Sequence, residues 1–205
     1  MILSFTICGM HTNQENNATI KAGSERKLDS GNLILVGMMG SGKTTMGRVL
    51  ARQLGKEFVD SDEEIIKRTG VTVPHIFDVE GEAGFRQREA AAICDLAGRD
   101  NMVLATGGGA VLDGDNRAIL KQNGIVIYLK ANAHDLWQRT RHDRNRPLLQ
   151  TENPYARLVE LFQQRDPLYR QVSDIVVQSG KQSAHSLMLR LVDEIDAFKR
   201  NHLSS

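Results

Sequence analysis

The sequence predicts a three-layer α/β/α protein built on a five-stranded parallel sheet. Three observations carry that expectation. Five short apolar runs recur along the chain, and segments with apolar residues at helical spacing lie between them. Short buried strands alternating with helices are the pattern of a parallel sheet covered on both faces. The chain has 205 residues, 40% of them hydrophobic, which suits one domain large enough to bury a core.

The elements follow in order. Leu33 to Val36 is an apolar run stopped by glycine, the first strand. Thr44 to Leu54 is a helix with Met46, Val49, Leu50 and Leu54 on one face and Gly55 at its end. Phe58-Val59 is a short strand ending at Asp60. Ser61 or Asp62 can cap the next helix, which runs through Ile65 and Ile66 to Gly70. Pro74 suits the first turn of another short helix. A longer helix is expected after Gly84, with Phe85, Ala92, Ile93 and Leu96 on one side. Met102 to Ala105 is the third strand. Asp115 to Lys121 is helical with Gly124 as its stop, and Ile125 to Leu129 is the fourth strand. The second half of "HDLWQRTRHDRNRPLL" is basic and is expected to be mobile. Asn153-Pro154 opens a helix through Arg165, Ile175 to Val177 is the fifth strand, and Leu187, Leu191, Ile195 and Phe198 mark the last helix.

Bulk properties exclude several classes. The formal net charge of +1 gives no field for nucleic acid or an anionic membrane. No apolar stretch reaches the roughly 18 residues of a spanning helix. The N-terminal "MILSFTICGM" has no basic residue before it and no A-x-A site after it, so a signal peptide is not expected. Residues 1–31 carry little that could pack and are taken as a flexible extension of a folded domain over residues 32–200. Cys8 and Cys94 fit no C-x-x-C or metal spacing, in keeping with a reducing compartment.

"GMMGSGKT", Gly37 to Thr44, carries the chemistry. It matches G-x-x-x-x-G-K-[ST] with a strand before it and a helix after it, the context that motif requires. Glycines let successive N–H groups turn inward, and the helix N-terminus adds partial positive charge. Lys43 can reach the β and γ oxygens of a nucleoside triphosphate, and Thr44 can offer its hydroxyl to Mg²⁺. A glycine-rich turn with no ligand is the plain alternative.

Three features bear on the phosphoryl acceptor. Asp60 and Asp62 lie at the C-terminal end of the second strand, where open parallel sheets bind ligands. A carboxylate there can hold Mg²⁺ through water or take a proton from an attacking hydroxyl, unless it only caps the helix. "TGGG", Thr106 to Gly109, allows close approach to main-chain N–H groups, or is only a flexible turn. Finally, at about 100° per residue Arg165 falls inside the apolar stripe of Leu158, Leu161, Phe162 and Tyr169. A buried guanidinium needs an anion, either a protein carboxylate or one on a ligand gripped by two N–H groups. Arg86, beside Phe85, raises the same question. Together these features point to a small acidic substrate with hydroxyl groups.

"GMMGSGKTTMGRVLA", "FVDSD", "EGEAGFRQRE", "TGGGAV", "RPLL" and "RDPLYR" resemble the shikimate kinases, in that order and at matching separations, from Leu33 to Phe198. The resemblance implies a P-loop kinase fold of the nucleoside-monophosphate-kinase type. In it, a substrate-binding region spans about residues 61–91 and a lid about residues 141–153. It implies transfer of the γ-phosphoryl of ATP to the 3-hydroxyl of shikimate, toward chorismate and the aromatic amino acids. By the same resemblance Gly40, Ser41, Gly42, Lys43, Thr44 and Thr45 would hold the ATP phosphates, and Gln182 would touch adenine. Thr44 would bind Mg²⁺ with Asp60 nearby. Asp62 would hold the shikimate hydroxyls and act as base or orienter. Arg86, Gly108 and Arg165 would bind shikimate, the arginines at its carboxylate, and Arg146 would descend from the lid onto the transferring phosphoryl group. The other lid arginines, Arg139, Arg141 and Arg144, are taken as solvated surface. A monomeric cytoplasmic enzyme with no nucleic-acid or membrane partner is expected. The N-terminal extension has no counterpart in the family pattern.

Two rivals stand beside this. One is another small-molecule kinase of the same fold, for gluconate or a nucleotide, against which the paired arginines and "TGGG" argue. The other is a P-loop switch NTPase, against which the absence of an N/T-K-x-D motif argues.

Overall fold

The computed structural model describes residue 28 and residues 31–143, 146–180 and 182–203. The expected extension over residues 1–31 lies outside the described residues except for Leu28 and Gly31, and Cys8 and Arg144 lie outside them too. In chain order the elements are β1 (Leu33–Val36), α1 (Lys43–Leu54), β2 (Glu57–Asp60), α2 (Ser61–Thr69), α3 (Val73–Ala97), β3 (Met102–Ala105), α4 (Gly114–Gln122), β4 (Ile125–Lys130), α5 (Ala133–Thr140), α6 (Pro154–Val172), β5 (Ile175–Gln178) and α7 (Ala184–Leu203). The five strands form one sheet in the order β2-β3-β1-β4-β5, with every pairing parallel. The order reverses at β1, so the crevice that an open α/β sheet offers to ligands opens at the C-terminal end of that strand.

The period of two along β1 sorts the core into layers. Ile34 and Val36 face Ile93 and Leu96 of α3 and Leu158, Leu161 and Tyr169 of α6. Leu33 and Leu35 face Met46 and Leu50 of α1 and Leu187, Leu191 and Ile195 of α7. A satellite cluster of Ile65, Ile76, Phe85 and Ala92 joins α2 to α3. The expected strands and the three-layer fold are therefore present, with helices on both faces.

Several local expectations are corrected. The cap of α2 is Asp60, whose carboxylate accepts from the N–H groups of Asp62 and Glu63. Ser61 and Asp62 lie inside the helix, which leaves the Asp62 side chain uncommitted to capping. α3 breaks at Gly81 (φ 69, ψ −177) and not at Gly84. α4 is closed by Asn123, because Gly124 is needed elsewhere: a Cβ there would meet the Asn32 carbonyl oxygen at 2.8 Å. α5 was not expected. It starts under an Asn132 cap and buries Leu136. α6 passes Arg165 and runs through Pro167 to Val172, because the buried Tyr169 and Val172 extend its apolar face.

Candidate active site

The chain leaves β1 through a loop that only glycine can form. Gly42 caps α1 in the left-handed region (φ 94) and offers no side chain to the first-turn N–H groups. Gly37 passes so close to β4 that a Cβ would meet the Leu129 carbonyl oxygen at 2.7 Å. Lys43 is buried beneath this loop. Its Nζ donates to the carbonyls of Gly37 (2.8 Å) and Met38 (3.0 Å). Burial pulls its pKa down to about 8, against the raising pull of Asp62 and Asp60. Neutral carbonyls compensate a buried ammonium only in part, so the site favours an anion.

At the end of β2, Asp60 does two things. Its Oδ2 accepts the Thr44 hydroxyl at 2.8 Å, and its Oδ1 accepts the Asp62 N–H at 3.0 Å. Asp62 is pushed up to about 6, first by burial and then by Asp60 and Glu89, with Lys43 and Arg146 opposing. At the end of β3, the Gly107 N–H donates to the Ser61 hydroxyl at 2.9 Å. A Cβ on Gly107 would lie 2.2 Å from Glu89 Oε1 and 2.9 Å from Asp62 Oδ1, so glycine there lets two carboxylates converge.

The two arginines resolve differently. Arg86 is paired within α3, donating to Glu89 Oε2 at 2.5 Å and to Glu82 Oε1 at 2.9 Å. Arg165 is 1% exposed and donates to the Gly108 carbonyl at 3.2 Å. Among the described residues no carboxylate pairs with it, and burial lowers its pKa. Arg146 is held by Asp143 at 2.9 Å. Gln182 turns its amide to the Gln178 carbonyl at 2.5 Å. Arg139 is no solvated charge: it donates to the Gly40 carbonyl (3.1 Å) and to those of Ser179 (2.8 Å) and Gly180 (3.1 Å), tying the glycine loop to the β5–α7 turn.

Two cavities result. One of about 480 Å³ is lined by Gly40 to Thr45, Arg139 and Gln182. The other, of about 530 Å³, is lined by Phe77, Phe85, Arg86, Glu89, Gly107 to Gly109 and Arg165. Met39, Thr44, Asp60, Asp62, Gly108 and Arg146 line both, so the two are halves of one groove. Among the described residues the buried side-chain atoms without a partner are Ser41 Oγ, Asp62 Oδ1, Glu89 Oε1 and Arg165 Nε, and every one belongs to a residue of this groove. An unpartnered buried polar atom costs about 1–3 kcal/mol, so such atoms gathered in one place mark where a ligand's polar groups complete the structure. Gly40 to Thr45, Asp60, Asp62, Arg86, Gly108, Arg146, Arg165 and Gln182 all fall on the groove. Glu89 and Arg139 were missed. The i,i+3 spacing of Arg86 and Glu89 was the only sequence signal for the first, and there was none for the carbonyls that Arg139 finds.

A glycine cradle at a helix N-terminus, a lysine beneath it, and a carboxylate between this cradle and a second polar cavity define a P-loop phosphotransferase acting on a small molecule. The family model for shikimate kinase matches residues 39–196. The chain belongs to the shikimate kinase family. It is 56% identical over 181 residues to the shikimate kinase of Nitrosospira multiformis, covering 88% of this chain and 93% of that one. Among solved structures, a shikimate kinase from Acinetobacter baumannii in complex with shikimate superposes with a TM-score of 0.81 at 48% identity, over 85% of this chain and 96% of that one. A gluconokinase from Sinorhizobium meliloti, at TM-score 0.53, 16% identity and coverage of 85% and 97%, shares the fold alone. The reaction is the ATP-dependent phosphorylation of the 3-hydroxyl of shikimate, giving shikimate 3-phosphate and ADP, in chorismate and aromatic amino acid biosynthesis.

Proposed function

We propose that this chain runs its family's reaction across the shared wall of the two cavities, with shikimate and ATP meeting at Asp62 and Arg146. The observation that carries the reading is that these two residues line both halves of the groove. The ATP phosphates lie over Gly40, Ser41, Gly42, Lys43, Thr44 and Thr45, where open N–H groups and the Lys43 ammonium meet their charge. Gln182 and the β5–α7 turn flank the base. Shikimate fills the second cavity with its carboxylate on Arg165 and Arg86. Arg165 Nε, without a partner, is a ready donor. Its hydroxyls meet Asp62 Oδ1, also unpartnered. Gly108 forms the floor.

Asp62 holds the attacking hydroxyl and takes its proton, and Lys43 and Arg146 carry the charge that develops on the transferring group. The Thr44 hydroxyl and Asp60 carboxylate, already 2.8 Å apart, suit a Mg²⁺ ion held by one or two protein ligands and completed by phosphates. That ion would neutralise phosphate charge. Residues 61–91 form the substrate-binding region, and residues about 141–153 form a lid that closes over both ligands and excludes water. We assign the chain to the cytoplasm as a monomer acting on shikimate alone. No described helix is long and apolar enough to cross a membrane.

ADP release tests the reading, measured with shikimate, gluconate, a nucleoside monophosphate or no acceptor. Release that requires shikimate and Mg²⁺ is expected. Equal release with water alone would instead make the groove that of a switch NTPase.

A further inference from the structure

We propose that Tyr169 is a positioning residue for shikimate: its hydroxyl, together with Arg165, fixes the Gly108 carbonyl and so sets the acceptor wall. Tyr169 is 0% exposed on α6, one turn beyond Arg165. Its hydroxyl donates to the Gly108 carbonyl, the same oxygen that takes the Arg165 hydrogen bond. It also lies 3.7 Å from the sulfur of Met38, in the glycine loop between β1 and α1. The phenol thus touches both halves of the groove from behind.

Three physical points give this contact a role. A carbonyl oxygen has two lone pairs, and here α6 supplies a donor to each. Because the peptide is planar, holding the Gly108 carbonyl against α6 also fixes the direction of the Gly109 N–H, and Gly109 lines the acceptor cavity. Glycines at 107, 108 and 109 give this loop freedom that would otherwise have to be frozen when substrate binds. The ring itself is held independently. It stacks on Tyr128 with centroids 4.9 Å apart, and the Tyr128 hydroxyl is engaged by Asp166 at 2.7 Å. Ring and hydroxyl therefore have separable jobs, packing and aiming.

The inference rests on the reading of Gly108 and Arg165 as acceptor-site residues, and the experiment separates the two. Steady-state constants for both substrates are measured for Tyr169→Phe, Tyr128→Phe and Arg165→Ala. Tyr169→Phe keeps the ring and the stack. It is expected to raise the shikimate KM about 10-fold, the scale of one hydrogen bond that positions a charged group, while kcat and the ATP KM stay within about 2-fold. Tyr128→Phe removes the other hydroxyl of the same stacked pair, the one on Asp166, without touching Gly108, and should leave both KM values unchanged. Replacement of Tyr169 by 4-aminophenylalanine, which restores a donor at the same place, should return the shikimate KM toward that of the unmodified enzyme. Tyr169→Phe with an unchanged shikimate KM, or with both KM values raised alike, overturns the proposal if Arg165→Ala still raises the shikimate KM. An Arg165→Ala enzyme with an unaltered shikimate KM overturns the acceptor-site reading, and this proposal with it.

Discussion

A carboxylate that takes a proton from an alcohol in the transition state works best with a pKa near the working pH. Asp62 is raised from the ordinary 3.8 to about 6, and burial is the largest cause. The folded state therefore holds the Asp62 proton more tightly than the unfolded state does. Ionisation is no burden below about pH 4, and it destabilises the fold fully once the pH has risen past about 6. Asp62→Asn should abolish turnover while leaving ATP bound, and it should also stabilise the protein above pH 6. At about 1.36 kcal/mol per pKa unit the gain is at most about 3 kcal/mol. Thermal melts of both proteins at pH 5 and pH 7.5 check the sign: the gap should be wide at the higher pH and shrink at the lower. A variant less stable than its parent at pH 7.5 would mean that burial is not what holds Asp62 up. Arg165 offers a second check, since truncating a buried charge that meets a ligand carboxylate costs 2 kcal/mol or more. Arg165→Ala should raise the shikimate KM about 100-fold and the ATP KM far less; equal effects on both would remove it from the acceptor site. The places of Lys43, Thr44 and Asp60 on the groove were legible in the sequence because the backbone sets them beside the glycine loop. The approach of Glu89 to Gly107 and of Tyr169 to Gly108 was not, because the fold alone brings those residues together; the sequence offered only the i,i+3 pairing of Glu89 with Arg86.

At the level of elements, α3 shows how a break can serve a site. Its two halves meet at Gly81, whose ψ of −177 with φ 69 lies in a region open essentially to glycine. The first half packs Ile76 into the satellite cluster, and the second carries Phe85, Arg86 and Glu89. Gly81→Ala has open space for its Cβ, so any cost is backbone strain of about 1–3 kcal/mol. The chain can relieve that strain by straightening, which would swing Glu89 away from Gly107 and Arg86 away from Gly109. A raised shikimate KM with an ATP KM close to the parent is expected. Gly47→Ala is the contrast. Its Cβ would lie 2.4 Å from Phe58 Cε2, between α1 and β2. Overpacking there should lower stability by about 1–3 kcal/mol and favour neither substrate. Calorimetry with steady-state kinetics separates the two; a Gly81→Ala enzyme altered only in melting temperature would deny the break any part in binding. The sequence pointed to glycine near this place but chose Gly84, because helical spacing after it was clear and the short turn before it was not. α5 escaped notice for a related reason: the arginines of its last turn and the following loop dominated the stretch, although an Asn132 cap precedes its buried Leu136.

Across the whole molecule, two substrates bound as proposed would meet at the shared wall, and their affinities should then depend on one another. Arg146 reaches both cavities from a loop that leaves α5, and its hold on Asp143 is a half-exposed i,i+3 ion pair. Exposed pairs of that kind contribute about 0–1 kcal/mol, so a phosphate can displace the carboxylate at little cost. Asp62 is the second shared group: on the proposed reading, an occupied phosphate cradle would draw Lys43 toward the phosphates and leave Asp62 to the acceptor hydroxyl. If the proposed lid closes for one ligand, less ordering is left for the other, and any such coupling is reciprocal. A non-hydrolysable ATP analogue should raise shikimate affinity about 5-fold or more, the lower end of ordinary coupling, and shikimate should raise analogue affinity by the same factor. Titration calorimetry in both orders measures it. Arg146→Ala should reduce that factor toward one while each ligand still binds alone, because its half-exposed side chain carries no part of the core. Independent binding in the parent enzyme would mean that the two cavities adjoin without communicating, and that Arg146 serves the chemical step alone.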